Sequence, residues 1–488
     1  MRNAVLASVE LPESVEPLSE PMFGQLPCER PSGDCGVVEG ASGVDGVVCG
    51  SAGVVVEGGS VGVVVCAQAT AAPPPKSTPV NAPATRKCLR DIVGIISTNR
   101  VTGRPRGSAP NLRGSSERTR SRLGTSRPQR RRGQPPRKRA HGPGTTVGPM
   151  LDRDWLERTV EAPLEPELEI CDPHHHLWAR PTGRFPRYDV DDLLVDTGSG
   201  HRVVDTVFVD CASSYRTDGP EHLRPVGETL YVAAQAAETE RRGGARIAGI
   251  VGHADLDRGA AVEEVLAAHV DCAGGRFRGV RHSAAWDPDP SIARSHSNPP
   301  HDLYRRASFR MGLAALGRMG LSFDAWQYHP QLLELADVAR AVPETQIVVN
   351  HLGAPLGIGP YAGRRPEVLG AWRPAMAELA RLDNIHLKLG GIGMSRYGMG
   401  WEHGERPPSS DDLVADWRDE ILWCIDQFGP NRCMFESNFP VDSESSSYVV
   451  LWNAFKKVSG GYSAAERADL FAGAARRFYR LGSDEPRS

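Results

Sequence analysis

Leu168-Glu-Ile-Cys-Asp172-Pro173-His174-His175-His176 is the stretch whose reading decides the fold. A short apolar run ends in an acid and three successive histidines. A doubly wound nucleotide-binding sheet would carry a glycine-rich phosphate turn at this position, and here histidines stand there instead. Side chains alternate faces along a strand, so Asp172, His174 and His176 are expected on one face and Pro173 and His175 on the other.

Reading outward, short apolar runs alternate with longer helix-period segments, the signature of βα units around a parallel sheet. The further strands are expected at 203–210, 247–251, 277–281, 321–326, 346–351, 385–389 and 432–436. Helices are expected between them after the second strand, and closing helices at 448–457 and 463–480. Eight such units predict an α/β fold, a (β/α)8 TIM barrel over 168–482. Residues 150–167 read as a linker with a short helix, and 483–488 as a tail.

Active sites of this fold sit at the C-terminal ends of the strands. His174 and His176, two positions apart, converge at the mouth and can ligate a divalent metal or orient a carbonyl. Strand six ends in Asn350-His351, with His351 on the face of Val349. Strand four ends in Arg281-His282, and an arginine there suits capture of a substrate carboxylate. Tyr328 and His329 follow strand five as candidate pocket-lining residues. Lys388, on one face with His386, reads either as a substrate-binding cation or as the partner of a barrel carboxylate. Strand eight gives Glu436 and Asn438 on one face, with Asp442 past Pro440 as the more exposed acid. A buried Glu436 would need a histidine or lysine partner.

Asp172-Pro-His-His-His-Leu-Trp178, Gly279-Val-Arg281-His282, Asn350-His351-Leu-Gly353 and Met434-Phe-Glu-Ser-Asn-Phe-Pro440 occur in order at successive strand ends. Together they resemble the amidohydrolase-related family of TIM-barrel hydrolases, in particular its lactonase group with pyrone-dicarboxylate lactonase, sulfomuconolactonase and fuconolactonase. The resemblance spans the whole barrel. It implies a carboxylic-ester hydrolase that opens a lactone or similar cyclic ester of a small carboxylated metabolite by water attack. It assigns His174, His176 and His351 to the reaction centre and Arg281 to a substrate carboxylate. The family's strand-eight aspartate falls on Asn438, a neutral amide that cannot act as a general base. Glu436, Asp442 or His351 would then take the proton, or the mechanism differs, or the barrel binds without catalysing. Losing that anion also removes a metal ligand, so the expectation is a site without a cofactor. The alternatives are a single divalent metal such as zinc on His174 and His176, and a metal-dependent decarboxylase on the same barrel.

Residues 1–149 read differently. A Gly/Val-rich segment at 37–66 precedes a proline run, and 100–139 holds 14 Lys or Arg against one acid, Glu117. Such composition cannot bury enough apolar surface to offset its ordering entropy, so a disordered low-complexity arm is expected. It reads as a start-site artefact or a dispensable arm, or else as a tail making nonspecific contact with nucleic acid through 100–139. The 488-residue chain carries a net charge of only −3, which gives no global signal for nucleic acid or membrane partners. Its ten cysteines form no CxxC pair and no metal-ligand spacing. Without a signal-peptide core or a long apolar run, the expectation is a cytoplasmic enzyme acting on a small molecule, as a monomer or an oligomer.

Overall fold

The computed structural model describes residues 151–183 and 185–482. The expectations for 1–149 and 483–488 lie outside the described residues. Eight parallel strands run in sequence order: β1 (Glu169–His175), β2 (Arg202–Val209), β3 (Arg246–Gly252), β4 (Phe277–Val280), β5 (Ser322–Ala325), β6 (Ile347–Val349), β7 (Ile385–Leu389) and β8 (Cys433–Phe435). The ring closes at the mouth, where the His176 amide donates to the Phe439 carbonyl (2.8 Å) and the Asn438 amide to the His174 carbonyl (2.9 Å). The expected barrel is present, and each strand lies within a few residues of its expected position.

The sequence between β1 and β2, read without a helix, forms α1 (Val190–Thr197), capped by the Asp189 and Asp192 side chains. Next come α2 (Val226–Arg242), α3 (Glu263–Cys272), α4 (Ala307–Arg318), α5 (Leu332–Ala341), α6 (Arg365–Ala380), α7 (Ser410–Phe428) and α8 (Tyr448–Val458). Helix α7 shows why these segments are helical. Ser409 and Asp412 form a reciprocal capping box, Gly429 ends the helix at φ 82°, and Leu413, Trp417, Ile421, Cys424, Ile425 and Phe428 form one buried face.

Alternation along the strands divides the apolar residues between two layers. Ile170, Phe208, Ile250, Phe323, Val349, Leu387 and Phe435 face the helices. Cys171, Val207, Val209, Val251, Val348 and Met434 face inward and meet Ala475, Phe478 and Tyr479 of the C-terminal segment. That segment runs through Ala464–Ala468, a π-helical turn at Asp469–Gly473, and Ala474–Tyr479. It packs against the inner barrel layer, with Phe478 on the His386 ring at 4.9 Å. The chain before β1 docks on the barrel, with Trp155 Nε1 donating to Gly404 O (2.9 Å) and the Thr159 hydroxyl to Pro407 O (2.8 Å).

Candidate active site

At the end of β1 the pairing register slips between Asp172 and His175. Pro173 lies inside the slip and has no N–H for the ladder. Asp172 therefore leaves the face expected for it and accepts from the Tyr448 hydroxyl and the Ser437 amide, both at 3.0 Å. The histidines keep their alternation. His175 meets the Thr206 hydroxyl through Nε2 (3.0 Å) and Phe208 on the helix side. His174 and His176 lie ring to ring at 4.9 Å. His176 Nδ1 donates to the Val209 carbonyl (2.8 Å), which leaves Nε2 as its lone-pair nitrogen.

The end of β6 is strained. His351, Leu352, Gly353 and Ala354 all have positive φ, at 54°, 55°, 65° and 51°. For a residue with a Cβ this conformation costs roughly 1–2 kcal/mol. The surroundings hold it in place: the Tyr397 hydroxyl donates to His351 O (3.0 Å), Trp372 Nε1 to Leu352 O (2.7 Å), and the His329 amide to Ala354 O (3.1 Å). The result directs both the backbone N–H and Nδ1 of His351 at one oxygen, Glu436 Oε1, at 3.0 and 2.7 Å. His329, expected to line the pocket, instead accepts the Leu356 amide (3.3 Å) and supports this turn.

Glu436 is wholly buried directly after β8. Its Oε2 lies 2.7 Å from His174 Nδ1 but out of line for a hydrogen bond. The carboxyl group thus joins His174 to His351, whose rings are 4.5 Å apart. Gly390 and Gly391 make the room. A Cβ at Gly390 would meet the Glu436 carbonyl at 2.3 Å, and one at Gly391 (φ 65°) would meet His351 Nδ1 at 2.4 Å.

Beneath this group sits a buried ion pair. Lys388 Nζ donates to Asp324 Oδ2 (2.7 Å) and Pro173 O (2.9 Å), and lies 3.2 Å from His174 Nδ1. Asp324 also accepts from Asn350 Nδ2 (3.1 Å) and the Tyr479 hydroxyl. Lys388 is therefore the partner of a barrel carboxylate, with its donors engaged internally, because a buried ammonium must find acceptors. Asp324 and Tyr479 were not singled out in the sequence.

Asn438 and Glu436 do not share a face. The chain turns at Asn438, φ 55°, and its side-chain Nδ2 donates to Asp442 Oδ1 (2.7 Å). Asp442 is not the exposed acid expected. A 3-10 turn at Val441–Glu444 folds it inward, where it is fully buried and Oδ2 accepts the Gly393 amide (2.9 Å).

Arg281 joins the centre, with one terminal nitrogen 3.3 Å from His174 Nε2 and the other donating to the Asp210 carbonyl. Its Nε is buried without a partner. His282 stands apart: its Nδ1 accepts the Leu256 amide (3.2 Å), and it lines a cleft of about 890 Å³ with His253, Tyr215 and Asp255. The Tyr328 hydroxyl donates to Ala293 O (2.5 Å) and accepts from Arg396 (2.7 Å). Arg396, which opens the 396–410 loop expected to shape the pocket but was not itself singled out as a site residue, lies 5.5 Å from the Trp326 ring, which in turn stands against His351 at 4.8 Å.

Burial dominates the titration of these groups. It lowers His174 well below the usual imidazole value, helped by Lys388, and does the same to His351, helped by Arg281 and Lys388. Both are neutral near pH 7. Burial pushes the Glu436 carboxyl up to about 8, against the lowering pull of Lys388 and the His351 N–H. Two neutral imidazoles around a carboxyl of perturbed acidity have the chemistry that proton transfer needs.

Comparison with known proteins bears on the family. The amidohydrolase family model matches residues 171–481. The chain belongs to the amidohydrolase family. Among its relatives is the uncharacterized protein y4mH of Sinorhizobium fredii, 32% identical over 334 residues, covering 64% of this amidohydrolase and 99% of the relative. An L-fucono-1,5-lactonase of Burkholderia multivorans is 27% identical over 325 residues, covering 64% and 95%. A crystal structure of an amidohydrolase from Burkholderia multivorans with bound zinc shares the fold, with a TM-score of 0.51 and 24% identity over 64% of this chain and 99% of that one.

Proposed function

We propose that this amidohydrolase opens a lactone, or a similar cyclic ester, of a small carboxylated metabolite. The carrying observation is the arrangement of Glu436 Oε1 against both the amide and Nδ1 of His351. With Nδ1–H held on the ionised carboxylate, the lone pair of His351 falls on Nε2. That nitrogen takes a proton from water as the water oxygen bonds to the lactone carbonyl carbon. The ring C–O bond then breaks, and the proton passes to the departing ring oxygen, giving the hydroxy acid. Glu436 positions His351 and balances the imidazolium, in place of the strand-eight aspartate that Asn438 replaces. Arg281 anchors the substrate's acidic group or the developing oxyanion. The lactonase name carried by a relative supports the reading.

His174, His351 and Glu436 offer metal-ligating atoms within 4.8 Å of one another, so the donor types suit a divalent ion. The charges do not. Lys388 lies 3.9 Å from Glu436 Oε2 and 3.2 Å from His174 Nδ1, and Arg281 flanks the other nitrogen of His174. These two cations already offset Glu436 and Asp324, so the reading runs no step through a metal at this centre. The test is a panel of carboxylated and sugar-acid lactones followed by pH indicator. Turnover of at least one is expected, and none across the panel would refute the proposal.

A further inference from the structure

A second group of ligating atoms lies on the β2–β4 side of the mouth, outside the centre described above. Asp210 follows β2, His253 follows β3, and His296 comes from the long loop between β4 and α4. Their ligating atoms all lie within 4.8 Å of one another. We infer that Asp210, His253 and His296 form a binding site for a divalent first-row transition cation of the zinc kind.

Each side chain is set for this. His253 Nδ1 donates to the Arg281 carbonyl (3.0 Å), which leaves Nε2 with the lone pair. A metal-binding imidazole is commonly fixed in this way, through its other nitrogen. The Tyr215 hydroxyl holds Asp210 Oδ1 (2.7 Å). Asp210 Oδ2 is buried, 3.0 Å from His296 Nε2 but with no aligned hydrogen bond. Asp210 Oδ2 and the two imidazoles thus converge as one carboxylate and two nitrogen donors, the ligand types a zinc-like cation takes. Two histidines and one carboxylate leave coordination positions open. The roughly 890 Å³ cleft lined by His253 lies beside them, so an oxygen ligand of a small anion could complete the shell.

The test titrates the metal-stripped full chain with Co²⁺, read by visible absorption, and with Zn²⁺, read by elemental analysis after desalting. One cation per chain is expected in the parent and in His174→Gln. It is lost in His296→Gln and Asp210→Asn, and binds about 10–100-fold more weakly in Tyr215→Phe. His296 is one-third exposed on its loop, so its replacement leaves the barrel intact. A parent that binds no cation, or a bound cation removed by His174→Gln and kept by His296→Gln, would overturn the inference.

Discussion

Replacing Lys388 by methionine tests whether the buried charges below the histidines act as one unit. The ammonium is wholly buried and donates to Asp324 at 2.7 Å and to Pro173 O at 2.9 Å. Methionine fills most of the same volume, so the loss is electrostatic rather than a cavity. Asp324 keeps Asn350 and the Tyr479 hydroxyl but loses its counter-ion, and Pro173 O loses its donor. Removing one partner of a buried pair costs about 3–5 kcal/mol. Chemical denaturation of Lys388→Met should show a loss of that size, and Lys388→Met/Asp324→Asn should recover about 2 kcal/mol or more of it. A second readout comes from Glu436. Lys388 is the main influence holding its pKa down, so the single variant moves the Glu436 ionisation above about 8. A loss under about 1 kcal/mol, or strict additivity of the two changes, would refute the reasoning.

Three further outcomes follow from the same geometry. In the proposed mechanism the working form has Glu436 ionised, and burial raises its pKa to about 8, so kcat should rise with pH up to about 8 and level off above it; a flat profile from pH 6 to 9 would contradict this. The same raised pKa means that Glu436 contributes its full stability below about pH 4.5, lost as pH rises toward 8. Gly391→Ala places a Cβ 2.4 Å from His351 Nδ1 at φ 65°, and should cost roughly 1–2 kcal/mol in denaturation and lower kcat by displacing that ring. Asn438→Asp, which puts at this position the acid that the family resemblance implies, sets two carboxyl groups against each other at the Asp442 contact of 2.7 Å. It should destabilise the protein by about 1–3 kcal/mol without raising kcat, as denaturation and steady-state rates would show.

The barrel was legible because its strands are short apolar runs whose ends carry the polar residues, and His174, His351 and Arg281 could be placed at the mouth by counting. What parity along a strand could not foresee was where the strands stop being strands. Pro173 slips the register and sends Asp172 to Tyr448. The left-handed turns at His351 and Asn438 re-aim those side chains, so Asn438 parts from Glu436 and meets Asp442. Asp324 was overlooked as a lone acid in an apolar run, although a buried carboxylate there required a cation, and Lys388 was at hand. Tyr479 could not be read at all, because it reaches Asp324 from 155 residues away. Gly390-Gly391 carried the one local signal that went unused: paired glycines directly after a barrel strand mark a close approach.

The central claim is that Glu436 drives hydrolysis by holding His351 in its basic tautomer. The most direct measurement is kcat of Glu436→Gln on the best lactone of the panel, with its folding checked in parallel. Glutamine keeps the shape but cannot balance an imidazolium, so kcat should fall about 10²–10⁴-fold with KM little changed. A folded Glu436→Gln enzyme within threefold of the parent would contradict the account.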